Sequence, residues 1–137
     1  MKILVDCNVL LDVMAGREKF LADSARILDG CEAGKWESAI AWHTLANAYY
    51  LADDGKKALE YFEDLLSFMT VAGGDTPLAR EAVRSGFSDF EDALQSVCAK
   101  QFEADFIVTR NLRDLKNMEL RFPQLRIVAP DAFLKEI

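Results

Sequence analysis

The sequence has few of the residues that hold small proteins together by covalent or metal cross-links. It contains one histidine and three cysteines, and no Cys-x-x-Cys pair occurs among Cys7, Cys31 and Cys98. An odd number of cysteines in otherwise apolar surroundings favours buried, reduced thiols over disulfides or a zinc site. At 137 residues the chain can bury roughly two-thirds of its unfolded-state surface without such links.

Long apolar runs are also absent. No stretch approaches the roughly 20 apolar residues that a membrane-spanning helix requires, and the N-terminus, Met1-Lys2-Ile3, does not have the architecture of a signal peptide. We therefore expect a cytoplasmic protein that does not enter a membrane.

Positive charge is scarce. The formal net charge is −7, which argues against a protein that coats nucleic acid through a basic surface. A nuclease is not excluded, because a bound metal ion would neutralise part of the acidic charge. The basic residues Arg110, Arg113 and Lys116 all follow one predicted strand, and we interpret Arg110 and Arg113 as candidate RNA contacts.

Segments with strand and helix character alternate along the chain, without repeats, low-complexity tracts or a clear linker. This alternation predicts a single domain over residues 1–137, an α/β protein with a mostly parallel sheet of about four or five strands. The predicted strands lie at 2–6, 37–41, 69–72, 105–109 and 125–128. The predicted helices lie at about 9–33, 42–53, 55–69, 76–85 and 89–103, with a short helix from 111.

Two helix starts carry capping signals. Thr76 followed by Pro77 predicts an N-cap and a first helical residue whose missing N–H costs nothing. Ser88 followed three residues later by Glu91 has the form of a capping box, in which the glutamate returns its carboxylate to the serine backbone N–H. This interpretation gives Glu91 a structural role.

Three aspartates stand where an apolar strand or helix start meets polar chain, namely Asp6, Asp92 and Asp114. The carboxyl ends of parallel strands share one edge of a sheet, so we expect these side chains to converge there. At a separation of about 5 Å and an effective dielectric of about 20, each like-charge pair costs about 3 kcal/mol, which a divalent cation or protonation must offset. All-oxygen ligands favour Mg²⁺ or Mn²⁺, and such a site suits phosphodiester hydrolysis.

A simpler explanation exists for the acids near residue 90. Asp89 and Asp92 lie at a predicted helix N-terminus, where the helix dipole favours negative charge. Asp92 is the stronger candidate for the site because it directly precedes Ala93-Leu94 and should point towards the sheet edge. Asp89 is kept as a further candidate metal ligand.

Three segments resemble the motifs of PIN domains. Residues 5–12 (Val-Asp-Cys-Asn-Val-Leu-Leu-Asp) are similar to the family's D-x-N-v-l-l-D opening, and residues 90–94 and 108–114 resemble its later acidic motifs in the same order. The resemblance extends over essentially the whole chain. It implies a three-layer α/β/α sandwich and a metal-dependent endoribonuclease, most often the VapC-type toxin of a toxin–antitoxin pair, usually a homodimer inhibited by a cognate antitoxin protein.

The resemblance also implies roles for individual residues. The metal ligands and catalytic residues would be Asp6, Asp92 and Asp114, with Mg²⁺ or Mn²⁺ as the cofactor. The supporting polar residues, which orient ligands around the metal, would be Asn8, Thr109 and Asn111.

At one position the sequence departs from the family. The helix after the second strand usually carries a glutamate where this chain has Asn47. An amide coordinates a cation through its carbonyl oxygen but brings no negative charge, so metal affinity should fall, with Asp89 or Glu91 as candidates to compensate. His43, one turn earlier on the same helical face, is either a proton carrier or a hydrogen-bonded structural residue.

The aromatic residues and Asp12 also allow interpretations that need no role in the active site. Aromatic side chains between positions 42 and 62 suit either RNA-base stacking or, as we favour, a helix-pair core or dimer interface; they are Trp42, Tyr49, Tyr50, Tyr61 and Phe62. Asp12, although it belongs to the opening motif, is interpreted as an exposed residue.

Two other functions compete with the ribonuclease. A catalytically weak or inactive PIN-like binding module, acting through protein or RNA partners, would follow from the missing charge at Asn47. A phosphoryl-accepting Asp6, as in phosphatases of the haloacid dehalogenase type or receiver domains, is disfavoured because Asn8 replaces their second aspartate and no lysine is well placed after a late strand.

Overall fold

A computed structural model describes all of residues 1–137. The strands are β1 (Lys2–Val5), β2 (Glu37–Ala41), β3 (Thr70–Ala72), β4 (Phe106–Val108) and β5 (Arg126–Val128). They form one five-stranded sheet in the order β3-β2-β1-β4-β5, and every neighbouring pair is parallel. The predicted α/β class and parallel sheet are confirmed.

Helices connect and cover these strands. They are α1 (Cys7–Met14), α2 (Glu18–Glu32), α3 (Trp42–Leu51), α4 (Gly55–Leu65), α5 (Thr76–Val83), α6 (Phe90–Phe102), α7 (Leu112–Leu115), α8 (Met118–Arg121) and α9 (Pro130–Glu136). None of them is long and apolar enough to cross a membrane.

The sheet separates two apolar cores because successive strand side chains point to opposite faces. Ile3 and Val5 of β1 join one core, which α1, α2, α4 and α9 cover, whereas Leu4 joins a second core with residues of α6 and α8. A small third cluster lies between α5 and α6. This arrangement is the three-layer α/β/α sandwich that the resemblance implied.

The strand order reverses direction beside β1. From β1 the chain builds β2 and β3 on one side and then returns to add β4 and β5 on the other. Consequently β1 and β4 are neighbours, with Val5 paired to Val108, although about a hundred residues separate them in sequence. In open parallel sheets the crevice at such a switch point, outside the carboxyl ends of the strands, is the usual ligand site.

The long helix predicted over 9–33 is two helices. α1 ends at Met14, and Gly16 then adopts a positive φ of 61°, which glycine tolerates because it has no Cβ. The Arg17 backbone N–H donates to the Asp12 carbonyl oxygen at 2.9 Å as the chain turns into α2. Apolar residues at helical spacing resume at Phe20 and Leu21 after the exposed run 16–19, and the prediction joined the two stretches into one helix.

Both predicted helix caps are wrong by one position. Asp75, not Thr76, caps α5 by accepting a hydrogen bond from the Leu78 N–H at 2.9 Å. Asp89, not Ser88, caps α6, and one of its carboxylate oxygens accepts from two backbone N–H groups at 2.8 and 3.2 Å. In each case the residue with extended backbone just before the first helical turn carries a carboxylate, which binds N–H groups strongly.

The remaining expectations for the fold concern the cysteines and the C-terminus. All three cysteines are free and buried, as predicted, and burial raises the pKa of Cys7 to about 12. No helix is predicted beyond the last strand, but the C-terminal segment forms α9. Its Phe133 packs edge-to-face against Trp36 and Phe106, with ring centroids 5.1 and 5.2 Å away.

Gly30→Ala should destabilise the protein even though alanine is the better helix former. A Cβ at this position in α2 would lie 2.1 Å from the Trp36 ring, and that buried indole is held by a hydrogen bond from its Nε1 to Cys31 Sγ at 3.2 Å. The overpacking cost of about 1–3 kcal/mol should outweigh the helix-propensity gain of about 1 kcal/mol. Urea denaturation measures the net effect, and a rise in stability would contradict the packing argument.

Candidate active site

Asp6 follows the last residue of β1 and lies at the switch point. Its backbone N–H extends the β1–β4 ladder by donating to the Val108 carbonyl oxygen at 3.0 Å. Its side chain then caps α1, with Oδ1 accepting from the Cys7 N–H at 2.8 Å. Only 8% of the residue is exposed, so one aspartate both ends the central strand and begins the first helix.

The buried carboxylate of Asp6 is surrounded by side-chain donors. Thr109 Oγ1 donates to Oδ2 at 2.7 Å, and Asn8 Nδ2 donates to the same oxygen at 3.1 Å. Gln95 Nε2 lies 3.4 Å from Oδ1. Burial raises the pKa of Asp6, while the hydrogen bonds from Thr109 and Cys7 and the charges of His43 and Arg110 oppose that rise. The donors therefore hold the carboxylate in one orientation.

The loop after β4 is tied to Asp6 through Asn8 and Thr109. Thr109 Oγ1 accepts from Asn8 Nδ2 at 3.2 Å and from the Asn111 backbone N–H at 2.9 Å. Asn8 Oδ1 accepts from the Arg110 backbone N–H at 3.1 Å. The structure thus brings the predicted supporting residues Asn8, Thr109 and Asn111 together with Asp6. Hydrogen bonds connect the loop at residues 109–111 to Asn8 and to the Asp6 carboxylate.

The N-terminus of α6 brings further negative charge to this edge. Burial and the neighbouring charge of Asp89 raise the pKa of Asp92 to about 6, with smaller contributions from Asp114, Glu91 and Asp6. Burial, Asp6 and Asp89 likewise raise the pKa of Glu91. Asp92 therefore interacts with the charges of both other predicted ligands, Asp6 and Asp114, and of Asp89 and Glu91.

Glu91 does not have the capping role that the sequence suggested. Asp89 caps the helix instead, and the neighbouring Asn47 amide partly offsets the rise in the pKa of Glu91. Glu91 and Asn47 line one cavity of about 370 Å³ with Asp6. Asn8, Asn111 and Tyr50 also line this cavity, whereas Asp92 and Asp114 lie outside its lining.

These acids lie close enough for their charges to interact, but they do not surround a single metal position. No three His, Cys, Asp or Glu side chains are close enough to hold a metal ion. The chemistry of the group nevertheless suits a hard cation, because oxygen ligands predominate and several carboxylates carry raised pKa values. In addition, the buried Oε1 of Gln95 has no hydrogen-bond partner.

Gln95 is a site residue that the sequence reasoning missed. It lies in α6 three residues after Asp92 and four after Glu91, so it shares their helical face, and only 2% of it is exposed. A polar residue at this spacing from two candidate acids was the available signal.

His43 also adjoins the site. Its Nε2 is buried without a hydrogen-bond partner, which disagrees with a purely hydrogen-bonded structural role. Burial lowers the pKa of His43, and the charge of Asp6 opposes this effect.

Arg110 and Arg113, both predicted to contact RNA, have different surroundings. Arg110 donates from Nε and Nη2 to Asp12 at 2.8 Å each, so this edge of its guanidinium is already occupied within the protein. Arg113 is exposed on α7. Asp12 itself is completely buried, and the interpretation of this residue as exposed is wrong.

The aromatic residues divide between core and surface. Phe62 belongs to the core that covers one face of the sheet, and Tyr61 packs against it. Trp42 and Tyr50 are 62% and 83% exposed, so these two do not belong to a helix-pair core, and a dimer interface stays a prediction for them. Tyr50 stands directly at the acidic cavity.

The fold and the acidic crevice define an α/β protein with a polar site at its topological switch point, and comparison with known proteins specifies the class further. A family model for the PIN domain matches residues 2–113. The chain therefore belongs to the PIN-domain family, whose members are generally nucleases.

Solved structures with the same fold share little sequence with this chain. VapBC2 from Rickettsia felis, bound to a DNA fragment from its promoter, has a TM-score of 0.68 at 16% identity, covering 94% of this chain and 98% of that one. PAE2754 from Pyrobaculum aerophilum has a TM-score of 0.55 at 19% identity, covering 99% and 88%. No curated protein matches significantly.

Asp92→Asn should stabilise the metal-free protein at pH 7. The pKa of Asp92 in the folded state, about 6, lies above its ordinary value of 3.8, so stability is lost as pH rises between these values. Removing the charge should recover about 1 kcal/mol above pH 6, after allowance for solvent screening, and nothing below about pH 4.

Denaturant titrations in chelator at pH 7 and pH 4 measure this gain. Asp29→Asn, at an exposed position of α2, makes the same charge change away from the site and should have little effect. Equal stabilisation by the two variants would mean that net charge, rather than the acidic crevice, causes the gain.

Proposed function

We propose that this PIN-domain protein is a metal-dependent endoribonuclease that hydrolyses RNA phosphodiester bonds with Mg²⁺ or Mn²⁺. The observation that carries the proposal is the environment of Asp6. Its carboxylate is oriented by Thr109 and Asn8 at the switch point and is surrounded by the charges of Glu91 and Asp92. An uncompensated acidic group in a crevice is the arrangement that a divalent cation stabilises.

Asp6, Asp92 and Asp114 would hold the metal, and Asp89 would add charge at its edge. A bound divalent ion supplies Lewis-acid activation of the phosphoryl group and stabilises the leaving alkoxide. Thr109 and Asn8 keep the Asp6 carboxylate aimed into the crevice. Because the cap of α6 engages one Asp89 oxygen, we assign Asp89 an electrostatic role rather than direct ligation.

Glu91 would compensate for Asn47. The two side chains line the cavity together with Asp6, and the Asn47 amide opposes the rise in the pKa of Glu91. The site therefore retains a carboxylate beside the position where the family usually has one. Asn47 Nδ2 would then donate to Glu91 and fix its orientation instead of contributing charge.

Exposed groups around the crevice suggest how RNA would approach. Tyr50 presents an exposed ring at the cavity, and aromatic faces stack on bases of any identity. Arg113, exposed on α7, is the basic residue that we assign to a phosphate contact, whereas the guanidinium of Arg110 is engaged by Asp12.

The biological setting that we propose is a cytoplasmic toxin–antitoxin pair, with this chain as a homodimeric toxin. Support comes from the family and from the fold shared with the VapBC2 structure. The acidic crevice would accept a basic side chain of a cognate antitoxin by charge complementarity. Co-purification from the native host and light scattering of the pure protein test the partner and the dimer separately.

A binding module without catalytic activity is the second candidate. Two observations favour it: Asn47 replaces a charged residue, and the acids do not form a closed metal-binding group. Such a module would bind RNA or protein without cleaving it, and the metal titrations below discriminate between the two functions.

Asp92→Asn should weaken Mn²⁺ binding and abolish RNA cleavage while the fold survives. Removing one of few ligand charges should weaken metal binding by at least about tenfold, equivalent to 1.4 kcal/mol. Calorimetric titration with Mn²⁺ and Mg²⁺ measures binding, and cleavage of single-stranded RNA measures activity. Asp29→Asn serves as the charge-matched control.

The outcomes of this experiment separate the two candidate functions. Cleavage that persists in chelator, or in Asp92→Asn, would contradict the metal mechanism. If the wild-type protein binds no metal at millimolar concentration, the binding module becomes the better description.

Asn47→Glu should tighten Mn²⁺ binding by about tenfold, because it adds a carboxylate at the cavity. The same substitution should lower stability in chelator, since the new charge would face Glu91, and Mn²⁺ should restore it. Asn47→Gln adds the same length without charge and is the matched control. Affinity unchanged by Asn47→Glu would show that position 47 does not limit the site.

A further inference from the structure

Asp12 is completely buried, yet it lines no part of the acidic cavity. Its Oδ2 accepts from Ser24 Oγ and from Arg110 Nε, each at 2.8 Å. Its Oδ1 accepts from Arg110 Nη2 at 2.8 Å, and Arg17 Nη1 lies 3.6 Å away. Both oxygens are therefore engaged, and the contact with Arg110 is a two-point pair of fixed geometry.

Arg110 is held at both its side chain and its backbone. The guanidinium lies over the Phe20 ring, 3.8 Å from the centroid, while two of its nitrogens bind Asp12. Its backbone N–H donates to Asn8 Oδ1 at 3.1 Å. Since α1 supplies Asp12 and Asn8 and α2 supplies Phe20, this one residue fixes the loop after β4 against two helices.

The neighbours of Arg110 in the chain are residues of the site. Thr109 donates to Asp6 Oδ2 at 2.7 Å, and the Asn111 N–H donates back to Thr109 Oγ1 at 2.9 Å. Asn111 also lines the acidic cavity. Any rotation of the loop about residue 110 would therefore change both the donor to Asp6 and the cavity wall.

We propose that Asp12 is a positioning residue, which acts through Arg110 to hold residues 109–111 in the arrangement that orients Asp6. This inference rests on the proposed function for its catalytic consequence, but not for its structural one. A buried ion pair is weak evidence for stability, because apolar or neutral substitutes are often as stable. The two hydrogen bonds between the Asp12 carboxylate and the Arg110 guanidinium instead fix the orientation of the loop at residues 109–111.

The experiment compares single and double substitutions. Asp12→Asn or Arg110→Met alone leaves a charge without its partner and should destabilise the fold. The double variant Asp12→Asn/Arg110→Met removes both charges, keeps a side chain over Phe20, and should recover most of the stability. It therefore separates positioning from stability.

The first readout is amide hydrogen exchange in the metal-free double variant. Exchange at Asn111 should accelerate at least about tenfold, because opening of the loop becomes easier, while Ile107 within strand β4 stays at its wild-type rate. A remote core variant, Phe133→Leu in α9, should lower global stability without selectively exposing Asn111.

The second readout is function. In the double variant, Mn²⁺ affinity should fall about tenfold, as expected for loss of an orienting contact, and kcat should fall while KM for RNA is unchanged. Arg110→Lys keeps the charge but loses the two-point geometry, so it should show faster Asn111 exchange than wild type and a partial loss of kcat. This variant also decides the question if the double variant does not fold.

Wild-type Asn111 exchange and wild-type Mn²⁺ affinity in the double variant would overturn the proposal. Failure of the proposed function is a separate result: a wild-type protein that neither binds Mn²⁺ nor cleaves RNA would refute the ribonuclease. The exchange measurement needs no metal or substrate, and it would still decide whether Asp12 positions the loop.

Discussion

A buried carboxylate needs hydrogen-bond donors, and most of this site follows from satisfying that need for Asp6. The central strand delivers the residue into the interior, where α1 supplies a backbone N–H and Asn8. The loop after β4 supplies Thr109, and α6 supplies Gln95. Three separate elements must meet at one side chain, and only the placement of β4 beside β1 brings them there.

Charge repulsion opposes this arrangement. Burial and the charge of Asp89 raise the pKa values of Glu91 and Asp92, so the metal-free protein carries an electrostatic cost that a simple surface would not have. Asn47 limits this cost, because its neutral amide adds no further charge beside Glu91 at the cavity. Such stored repulsion is common where a protein is built to receive a cation.

Much of the fold could be predicted because it depends on local pattern. Short apolar runs ending at polar residues mark the strands, and their alternation with helices implies parallel pairing. The predictions were wrong where two alternative local structures suit the same stretch of sequence almost equally well. Asp89 and Ser88 are both suitable N-cap residues for α6, and the Asp89 carboxylate makes the capping hydrogen bonds. Glu91 therefore has no capping role, and its side chain lines the cavity. Likewise, the turn at Gly16 separates two amphipathic helices that lie only a few residues apart in sequence.

Sequence alone therefore determined the types of element, the parallel sheet, and the position of Asp6 at a strand end, since each depends on residues within a few positions of one another. Tertiary structure decided the partners. Asp12 meets Arg110 across 98 positions, and Asp6 meets Gln95 across 89. Such contacts depend on strand order and helix packing, and a motif read along the chain carries no information on which distant donor will reach a buried acid.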